Sequence, residues 1–140
     1  MPYDQSNIFA RILRGEIPCQ KIYEDDGTLA FMDIMPRSDG HALVIPKAPS
    51  MGLDDAKPET IAKLMAVVQR LAPKIRDALG ASGYRLAQFN GAEAGQTVFH
   101  LHFHIIPMYA GVALRPHGGK MGDPATIMAF ADKIRKALAA

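Results

Sequence analysis

The sequence predicts an α+β domain in which an antiparallel sheet packs with a short N-terminal helix, a long central helix and a C-terminal helix. Short runs of β-branched and aromatic residues are separated by Gly and Pro turns, which is typical of antiparallel strands. Three other segments repeat apolar residues at the helical period. With 140 residues the chain is long enough for one hydrophobic core, so we expect a single domain over residues 1–140.

The first helix is indicated by residues that can begin and end it. Ser6 or Asn7 can accept hydrogen bonds from the first turn, and Gly15 can end the helix in the left-handed conformation. Between these ends, the apolar residues that share one helical face are Ile8, Phe9, Ile12 and Leu13.

A long central helix is predicted from residue 58 to residue 79, and Gly80 is a suitable residue to end it. Pro73 should kink or divide this helix, because proline lacks an N–H group and its ring clashes with the preceding turn. The last helix should begin at Asp123 and Pro124, which suit the N-cap and the first turn. Its apolar face contains Ile127, Phe130, Ile134 and Leu138.

Five strands are predicted from the runs of apolar and β-branched residues. They cover residues 21–23, 28–34, 41–45, 84–90 and 98–108. Asp26 and Gly27 form the turn between the first two strands, and Pro46 ends the third. The loop over residues 91–95 consists mostly of small residues that allow a backbone to approach a ligand closely, so it is a candidate phosphate cradle.

Three histidines alternate with apolar residues in the last predicted strand. Because side chains on a strand switch face at each residue, His100, His102 and His104 should project from one face of the sheet. The apolar residues between and after them should project into the core from the other face, and Pro107 should stop the ladder. These apolar residues are Leu101, Phe103 and Ile105.

Imidazoles at these positions suit either metal binding or phosphoryl and acyl chemistry. On a strand His100 and His104 begin roughly 13 Å apart, since each residue rises ~3.4 Å, whereas zinc holds a histidine nitrogen at ~2 Å. An adjacent pair such as His100 and His102 could still chelate zinc with further ligands, although Cys19 is the only cysteine. The alternative is a neutral His102 that acts as a nucleophile, with its neighbours donating hydrogen bonds to a phosphate.

The segment His100-Leu101-His102-Phe103-His104-Ile105-Ile106 resembles the His-φ-His-φ-His-φ-φ signature of the histidine triad (HIT) nucleotide hydrolases and transferases. Other segments are similar to those of the family in the same order. The resemblance runs from about residue 8 to residue 107, and it implies a HIT-like fold with a C-terminal loop and helix over residues 108–140. The other matching segments are Ile8-Phe9, Gly15-Glu16-Ile17-Pro18, Ala30-Phe31-Met32-Asp33-Ile34, Gly40-His41-Ala42-Leu43-Val44-Ile45-Pro46-Lys47 and Gly95-Gln96-Thr97-Val98.

The resemblance implies roles for four histidines. His102 matches the nucleophile of the family by its middle position, with one ring nitrogen attacking the α-phosphorus and the other donating its proton to a backbone carbonyl. His100 and His104 would contact the phosphate or orient His102. His41 matches a fourth family histidine that lies against the triad.

The resemblance also implies how a nucleotide would be held. Asp33 matches the residue that binds the ribose hydroxyls, which a carboxylate can accept with its two oxygens. The phosphate-binding residues are expected to be Asn90, Gly95, Gln96 and Thr97. The apolar slot for the base is expected to be formed by Ile8, Phe9, Ile12, Phe31 and Ile34, although these residues could equally belong to the core.

The chain departs from the family at several positions. Asn7 and Ala10 stand where many bacterial relatives have zinc-binding cysteines, and Pro49 stands where a histidine ligand is usual, so we expect no metal and no cofactor. The segment 93–98 is closer to the branch that cleaves dinucleoside polyphosphates, whereas Asn90 is closer to the phosphoramidase-like branch. No role follows from the resemblance for the C-terminal Arg115, His117 and Lys120.

Net charge and cysteine content limit the classes of partner and the cellular compartment that we expect for this protein. The formal charge of +2 is small and its Lys and Arg residues are scattered, so small anionic ligands fit better than nucleic acid polymers. A single cysteine excludes an intrachain disulfide, and no segment is typical of a signal peptide or membrane span. We expect a cytoplasmic protein with no membrane partner. The resemblance implies a homodimer with the long helix and a neighbouring strand at its interface.

The function predicted from these residues is hydrolysis of a nucleoside phosphoramidate, nucleotidyl ester or dinucleoside polyphosphate through a nucleotidyl-His102 intermediate. The product would be a purine nucleoside monophosphate. The alternatives are a dinucleoside polyphosphate hydrolase or phosphorylase, a nucleotide-binding or scaffolding protein with little turnover, and a zinc protein that uses His100 and His102.

Overall fold

The computed structural model describes residues 2–140, which form three α-helices, five strands and one short 3-10 turn. The helices are α1 (Ile8–Leu13), α2 (Pro58–Leu79) and α3 (Pro124–Ala139). The strands are β1 (Lys21–Glu24), β2 (Thr28–Met32), β3 (Ala42–Pro46), β4 (Gly83–Ala87) and β5 (Phe103–Met108), and the 3-10 turn covers Ala92–Ala94. The predicted α+β class is confirmed.

The five strands form one antiparallel sheet in the order β1-β2-β3-β5-β4. The first three strands are a meander, and β5 pairs with both β3 and β4. In this register His104 lies opposite Leu43 on β3 and opposite Ala87 on β4. His104 therefore has a paired strand on both sides, and β4 is an edge strand.

Two apolar clusters cover the two faces of the sheet. The larger cluster joins α2 and α3 to one face, and it includes Leu101, Phe103 and Ile105, as the alternation predicted. The smaller cluster joins α1 to the other face, where the rings of Phe9 and Phe31 meet edge to face with centroids 5.4 Å apart. The histidines lie on this second, more thinly covered face.

The predicted helix ends are confirmed. The side chain of Asn7 accepts a hydrogen bond from the backbone N–H of Ala10, and Gly15 follows α1 with a φ of 78°. Asp123 caps α3 in the same way by accepting from Thr126. Pro73 does not divide α2, which is one helix of 22 residues. No helix within residues 2–140 is both long enough and apolar enough to cross a bilayer.

The start of the last strand differs from the prediction. β5 begins at Phe103 instead of residue 98, because the preceding segment bonds to the loop at residues 50–51: the N–H of Leu101 donates to the carbonyl of Ser50 at 2.8 Å. The strand ends at Met108, as predicted, but the prediction that Pro107 stops the ladder is wrong for the pairing with β4, which continues through Pro107 to Met108. β3 pairs with β5 only as far as Ile105, so Pro107 has a partner strand on one side only, a setting in which strands accept proline.

Candidate active site

His102 lies just before β5 and has one ring nitrogen fixed by the backbone. Its Nδ1 is 2.6 Å from the carbonyl oxygen of His100, and a carbonyl can only accept, so Nδ1 carries the proton. The Nε2 atom of a neutral ring then holds a free lone pair. His102 also lines a cavity on the α1 side of the sheet. The arrangement presents an imidazole lone pair to a ligand.

The ring of His102 is favoured in its neutral form. Burial lowers its pKa from the ordinary value of 6.5, and the nearby His100 and His117 act in the same direction, while the hydrogen bond to the His100 carbonyl opposes them. The ring of Phe9 packs edge to face against His102 with centroids 4.9 Å apart. A desolvated neutral imidazole is a competent nucleophile at neutral pH.

His41 and His104 form a short chain of hydrogen bonds whose direction can be assigned. The backbone N–H of Arg37 donates to His41 Nδ1 at 3.0 Å, so the proton of the neutral His41 ring is on Nε2. That proton is donated to His104 Nδ1 at 2.9 Å, which leaves the proton of His104 on its own Nε2. The buried Nε2 of His104 has no hydrogen-bond partner among residues 2–140. It is a donor available to an anionic ligand in the cavity.

Burial explains the protonation of this pair. It lowers the pKa of His41 and the pKa of His104 from 6.5 to about 3 each, with further lowering from Arg37 and from the surrounding imidazoles. Asp33 Oδ2 lies 3.4 Å from His41 Nε2, but a neutral His41 makes this contact polar and not ionic. Burial raises the pKa of Asp33, which the N–H of Met35 and the imidazole of His117 partly offset.

His100 uses both ring nitrogens inside the protein. Its Nε2 donates to the carbonyl of Pro46 at 2.7 Å, so its Nδ1 accepts from the hydroxyl of Tyr3. His100 is fully buried and is not part of the cavity wall. Its carbonyl accepts from Nδ1 of His102, a contact of the kind that would orient His102, and the predicted role of His100 in contacting phosphate or orienting His102 stays a prediction.

The predicted base and ribose residues surround one cavity of about 180 Å³. Its wall is mostly apolar on one side, with a carboxylate and imidazoles on the other, as is usual for pockets that bind small ligands. Predicted residues that line it are Ile8, Phe9, Ile12, Phe31, Asp33, Ile34, Thr97, His102 and His104. Residues that the sequence analysis did not assign to the slot include Ile17, Pro18, Cys19, Met35, Leu43 and Val98.

Three of the predicted phosphate-binding residues lie in the loops beside this cavity. The Gln96 side chain accepts from the N–H of Gly91 and donates to the carbonyls of Met51 and Val98. Asn90 accepts from the N–H of Leu53 at 2.8 Å, and Gly95 ends the 3-10 turn with a φ of 106°. In this structure these residues hold the loops around Thr97, and their direct contact with phosphate stays a prediction.

Three side chains beside the cavity lie close enough together to be compared with a metal site. Asp33, His41 and His104 each offer a ligand atom, and these atoms lie within 4.8 Å of one another. The two imidazole nitrogens are, however, donor and acceptor of one hydrogen bond, and the side chains of Asn7 and Ala10 cannot provide the thiolates of the zinc site that the resemblance implies for many relatives. These residues do not fit that zinc site, and we derive no step through a metal.

Three aromatic residues contact the histidines of the site although no motif of the sequence assigns them a role. Tyr3 reaches His100, while Phe89 and His117 lie beside His104, with ring centroids 5.6 and 6.2 Å from it. Phe89 precedes Asn90 in a segment predicted as strand, where neighbours would face opposite sides. Because β4 ends at Ala87, Phe89 is not part of the strand, and the strand alternation does not predict which way its side chain points. The signal in the sequence that could have pointed to His117 is that it is the fifth histidine of a chain whose other four match the family.

The chain is similar to known proteins over most of its length. The HIT domain model matches residues 14–111. The chain is 39% identical over 125 residues to adenylylsulfatase HINT3 of Arabidopsis thaliana, covering 85% of this chain and 64% of that protein. It is 44% identical over 102 residues to adenosine 5'-monophosphoramidase hnt1 of Schizosaccharomyces pombe, covering 73% of this chain and 74% of the relative.

A solved structure extends the similarity to nearly the whole chain. The HIT-like protein involved in cell-cycle regulation from Bartonella henselae superposes with a TM-score of 0.92 at 46% identity, over 98% of this chain and 99% of that one. The family match covers the segments that carry His41 and the three histidines of residues 100–104. The chain therefore belongs to the histidine triad (HIT) family.

Proposed function

We propose that this protein is a nucleotidyl hydrolase that transfers the nucleotidyl group of its substrate to His102 and then to water. One observation carries the proposal: the lone pair on His102 Nε2 lies in the same cavity wall as the unpartnered N–H donor of His104. A nucleophile and an anion-binding donor side by side are the minimum that phosphoryl transfer requires.

The reaction proceeds in two balanced steps. In the first, the Nε2 lone pair of His102 attacks the α-phosphorus, an N–P bond forms, and the bond from phosphorus to the leaving group breaks with its electron pair on the leaving group, which takes up a proton. In the second, water attacks the same phosphorus, the N–P electron pair returns to Nε2, and the water loses a proton. The nucleoside monophosphate is released and His102 is restored.

The polar side chains of the cavity have separate parts in these steps. The N–H of His104 Nε2 binds a non-bridging phosphate oxygen as negative charge develops there. The carbonyl of His100 stabilises the positive charge on the ring of nucleotidyl-His102 by accepting from Nδ1. Asp33 accepts the ribose hydroxyls, and the apolar wall that includes Phe9 and Phe31 encloses a purine base.

The names of two relatives support the class of substrate. One relative is named for adenylylsulfate and the other for adenosine 5'-monophosphoramidate, and both substrates yield AMP. We propose a phosphoramidate, nucleotidyl ester or dinucleoside polyphosphate as substrate, with a purine nucleoside monophosphate as product. The small net charge of the protein supports a small cytoplasmic nucleotide, and not a polymer or a membrane, as its partner.

The proposal is tested with a panel of AMP-releasing substrates. Adenosine 5'-phosphoramidate, an adenylyl amine, adenylylsulfate and diadenosine polyphosphates of increasing length are each incubated with the protein, and AMP release is followed. We expect turnover of at least one member. Preference for the diadenosine compounds would favour the dinucleoside polyphosphate hydrolase or phosphorylase. Nucleotide binding without release from any member would favour a binding or scaffolding protein and contradict the proposal.

Turnover should not depend on a bound metal. After dialysis against a chelator, we expect kcat to stay within ~2-fold of the untreated protein, because the proposed chemistry needs only imidazole, carboxylate and backbone groups of the chain. Elemental analysis of the dialysed sample serves as the control for metal removal. Activity that disappears on chelation and returns with added zinc would contradict this expectation and favour the zinc alternative.

We further propose that residues 1–140 act as one domain and that two copies form a homodimer through α2 and β4. β4 is an edge strand, and Leu86 on it is 46% exposed. Beside it lies an apolar groove of about 450 Å³, and exposed apolar surface of this kind favours association. The groove is lined by Ala62, Met65, Ala66, Val68, Gln69, Ala72, Tyr84 and Leu86.

The substitution Leu86→Glu should convert the dimer into a monomer, since a carboxylate would be buried at the interface. Sedimentation velocity at micromolar protein measures this directly. Leu53→Glu is the matched control, because Leu53 has a similar exposure of 44% but lies outside the groove. A wild-type protein that sediments as a monomer would refute the dimer.

A further inference from the structure

His117 reaches the candidate active site from the C-terminal loop, which we define as residues 109–123. It lines the same cavity as His102 and His104. Its ring lies 5.7 Å from the ring of Phe89 and 6.2 Å from that of His104, measured between centroids. Its proximity lowers the pKa of Asp33, His41, His102 and His104. A fifth histidine is therefore part of the site, although it lies outside the triad.

The position of His117 is fixed by contacts on both sides of it in the chain. Before it, the N–H of Arg115 donates to the carbonyl of Arg37 at 2.8 Å, and the Arg115 guanidinium pairs with Asp39 at 2.7 Å. After it, the N–H of Gly122 donates to the carbonyl of Ile34 at 2.8 Å. These contacts fasten the C-terminal loop to the segment that follows β2 and contains the proposed ribose residue. The fold thus holds His117 beside the cavity.

The imidazole of His117 is free to bind a ligand. The ring makes no hydrogen bond to any of residues 2–140, and the residue is exposed. The other imidazoles in and beside the cavity are engaged differently: His102 and His41 are each fixed by backbone groups, and His104 accepts from His41. Among these imidazoles, His117 alone makes no hydrogen bond within residues 2–140, so both of its ring nitrogens are available.

The geometry of the proposed reaction indicates which part of the substrate His117 can contact. In an in-line displacement the leaving group departs on the side of phosphorus opposite to the attacking Nε2 of His102. His102 and His104 both belong to the segment on the sheet, and an element outside the sheet can contact the leaving group from the other side of the cavity. The C-terminal loop is such an element, and His117 is the side chain by which it enters the cavity.

We propose that His117 binds the leaving group of the substrate, donating a hydrogen bond to an oxygen of an anionic leaving group such as sulfate or phosphate. This inference rests on the proposed function and adds the residue that discriminates between leaving groups. A leaving group that departs as a small amine offers no such oxygen, so its transfer gains nothing from this contact. His117 would therefore favour nucleotidyl anhydrides over phosphoramidates.

The test compares two substrates that share AMP and differ in the leaving group. Adenylylsulfate and adenosine 5'-phosphoramidate are assayed with wild type, His117→Ala and His117→Gln. We expect His117→Ala to reduce kcat/KM for adenylylsulfate by about 10- to 100-fold, as loss of a hydrogen bond to a charged group predicts. The phosphoramidate should change by less than ~3-fold, and His117→Gln, which retains an N–H donor, should recover part of the loss.

Lys120→Ala is the matched control, because Lys120 is an exposed cation of the same loop but lines the neighbouring cavity instead. It should leave the ratio of the two kcat/KM values unchanged. Equal losses of His117→Ala on both substrates, or a ratio altered as much by Lys120→Ala, would overturn the role of His117. A wild-type protein that releases AMP from other members of the panel but not from adenylylsulfate would overturn the role of His117 alone, whereas one that turns over no member would overturn the proposed function and this inference with it.

Discussion

Replacing His102 with alanine should reduce turnover by several orders of magnitude while leaving nucleotide affinity almost unchanged. The substitution removes the only imidazole in the cavity whose Nε2 lone pair is fixed by a bond from Nδ1 to the backbone. Without it, no N–P bond can form, and direct attack by water has no positioned base. The base slot and Asp33 are untouched, so binding energy for the nucleoside is retained.

Two measurements separate these effects. The rate of AMP release gives turnover, and calorimetric titration with AMP gives affinity for wild type and His102→Ala. His102→Gly adds a chemical control, because free imidazole fits the space that the missing ring leaves and should restore part of the activity. A His102→Ala protein that works at near the wild-type rate would refute the assignment and direct attention to His100 or His104.

Replacing His104 with alanine should lower kcat by about 10²- to 10³-fold, the usual loss when one preorganised donor to a developing anion is removed. The expectation follows from the chain of hydrogen bonds from Arg37 through His41, which sets the proton of His104 on the unpartnered Nε2. Since that donor acts on charge that grows during the reaction, kcat should fall more than KM rises.

Comparison of three variants tests the direction of this chain. His104→Gln keeps an N–H donor and should lose less activity than His104→Ala. His41→Ala should lose less than His104→Ala as well, because His41 only orients the donor. Thermal unfolding of each variant checks that the buried site still folds. If His104→Ala reduced activity no more than His41→Ala, the direct contact of His104 with the phosphate would be contradicted.

The helices and the face of the histidines could be predicted because both depend on local sequence. Asn7, Gly15 and Asp123 act within one turn of the helices they cap, and the alternation of Leu101 with its neighbours holds even where the strand has not yet begun. The start of β5 could not be predicted in this way. It depends on hydrogen bonds to the loop at residues 50–51, which are distant in sequence.

In the candidate site as well, the residues that could be predicted lie in local motifs, and those that could not depend on contacts distant in sequence. Asp33, His102 and His104 follow from motif and family resemblance, and all three line the cavity. Tyr3 contacts His100 across 97 positions of the chain, and His117 is brought in by ion pairing and backbone contacts of the C-terminal loop. No local sequence pattern indicates either contact, so the positions of these two side chains can be seen only in the folded structure.

The most direct measurement is mass spectrometry of acid-sensitive adducts after rapid mixing. The protein is mixed with a substrate that it turns over, quenched within milliseconds under conditions that preserve phosphoramidate bonds, digested and analysed. The account predicts a nucleotidyl mass on the peptide that contains His102, its absence from His102→Ala, and its decay at the rate of AMP release. Turnover without this adduct, or an adduct on a different histidine, would contradict nucleotidyl-His102 as the intermediate.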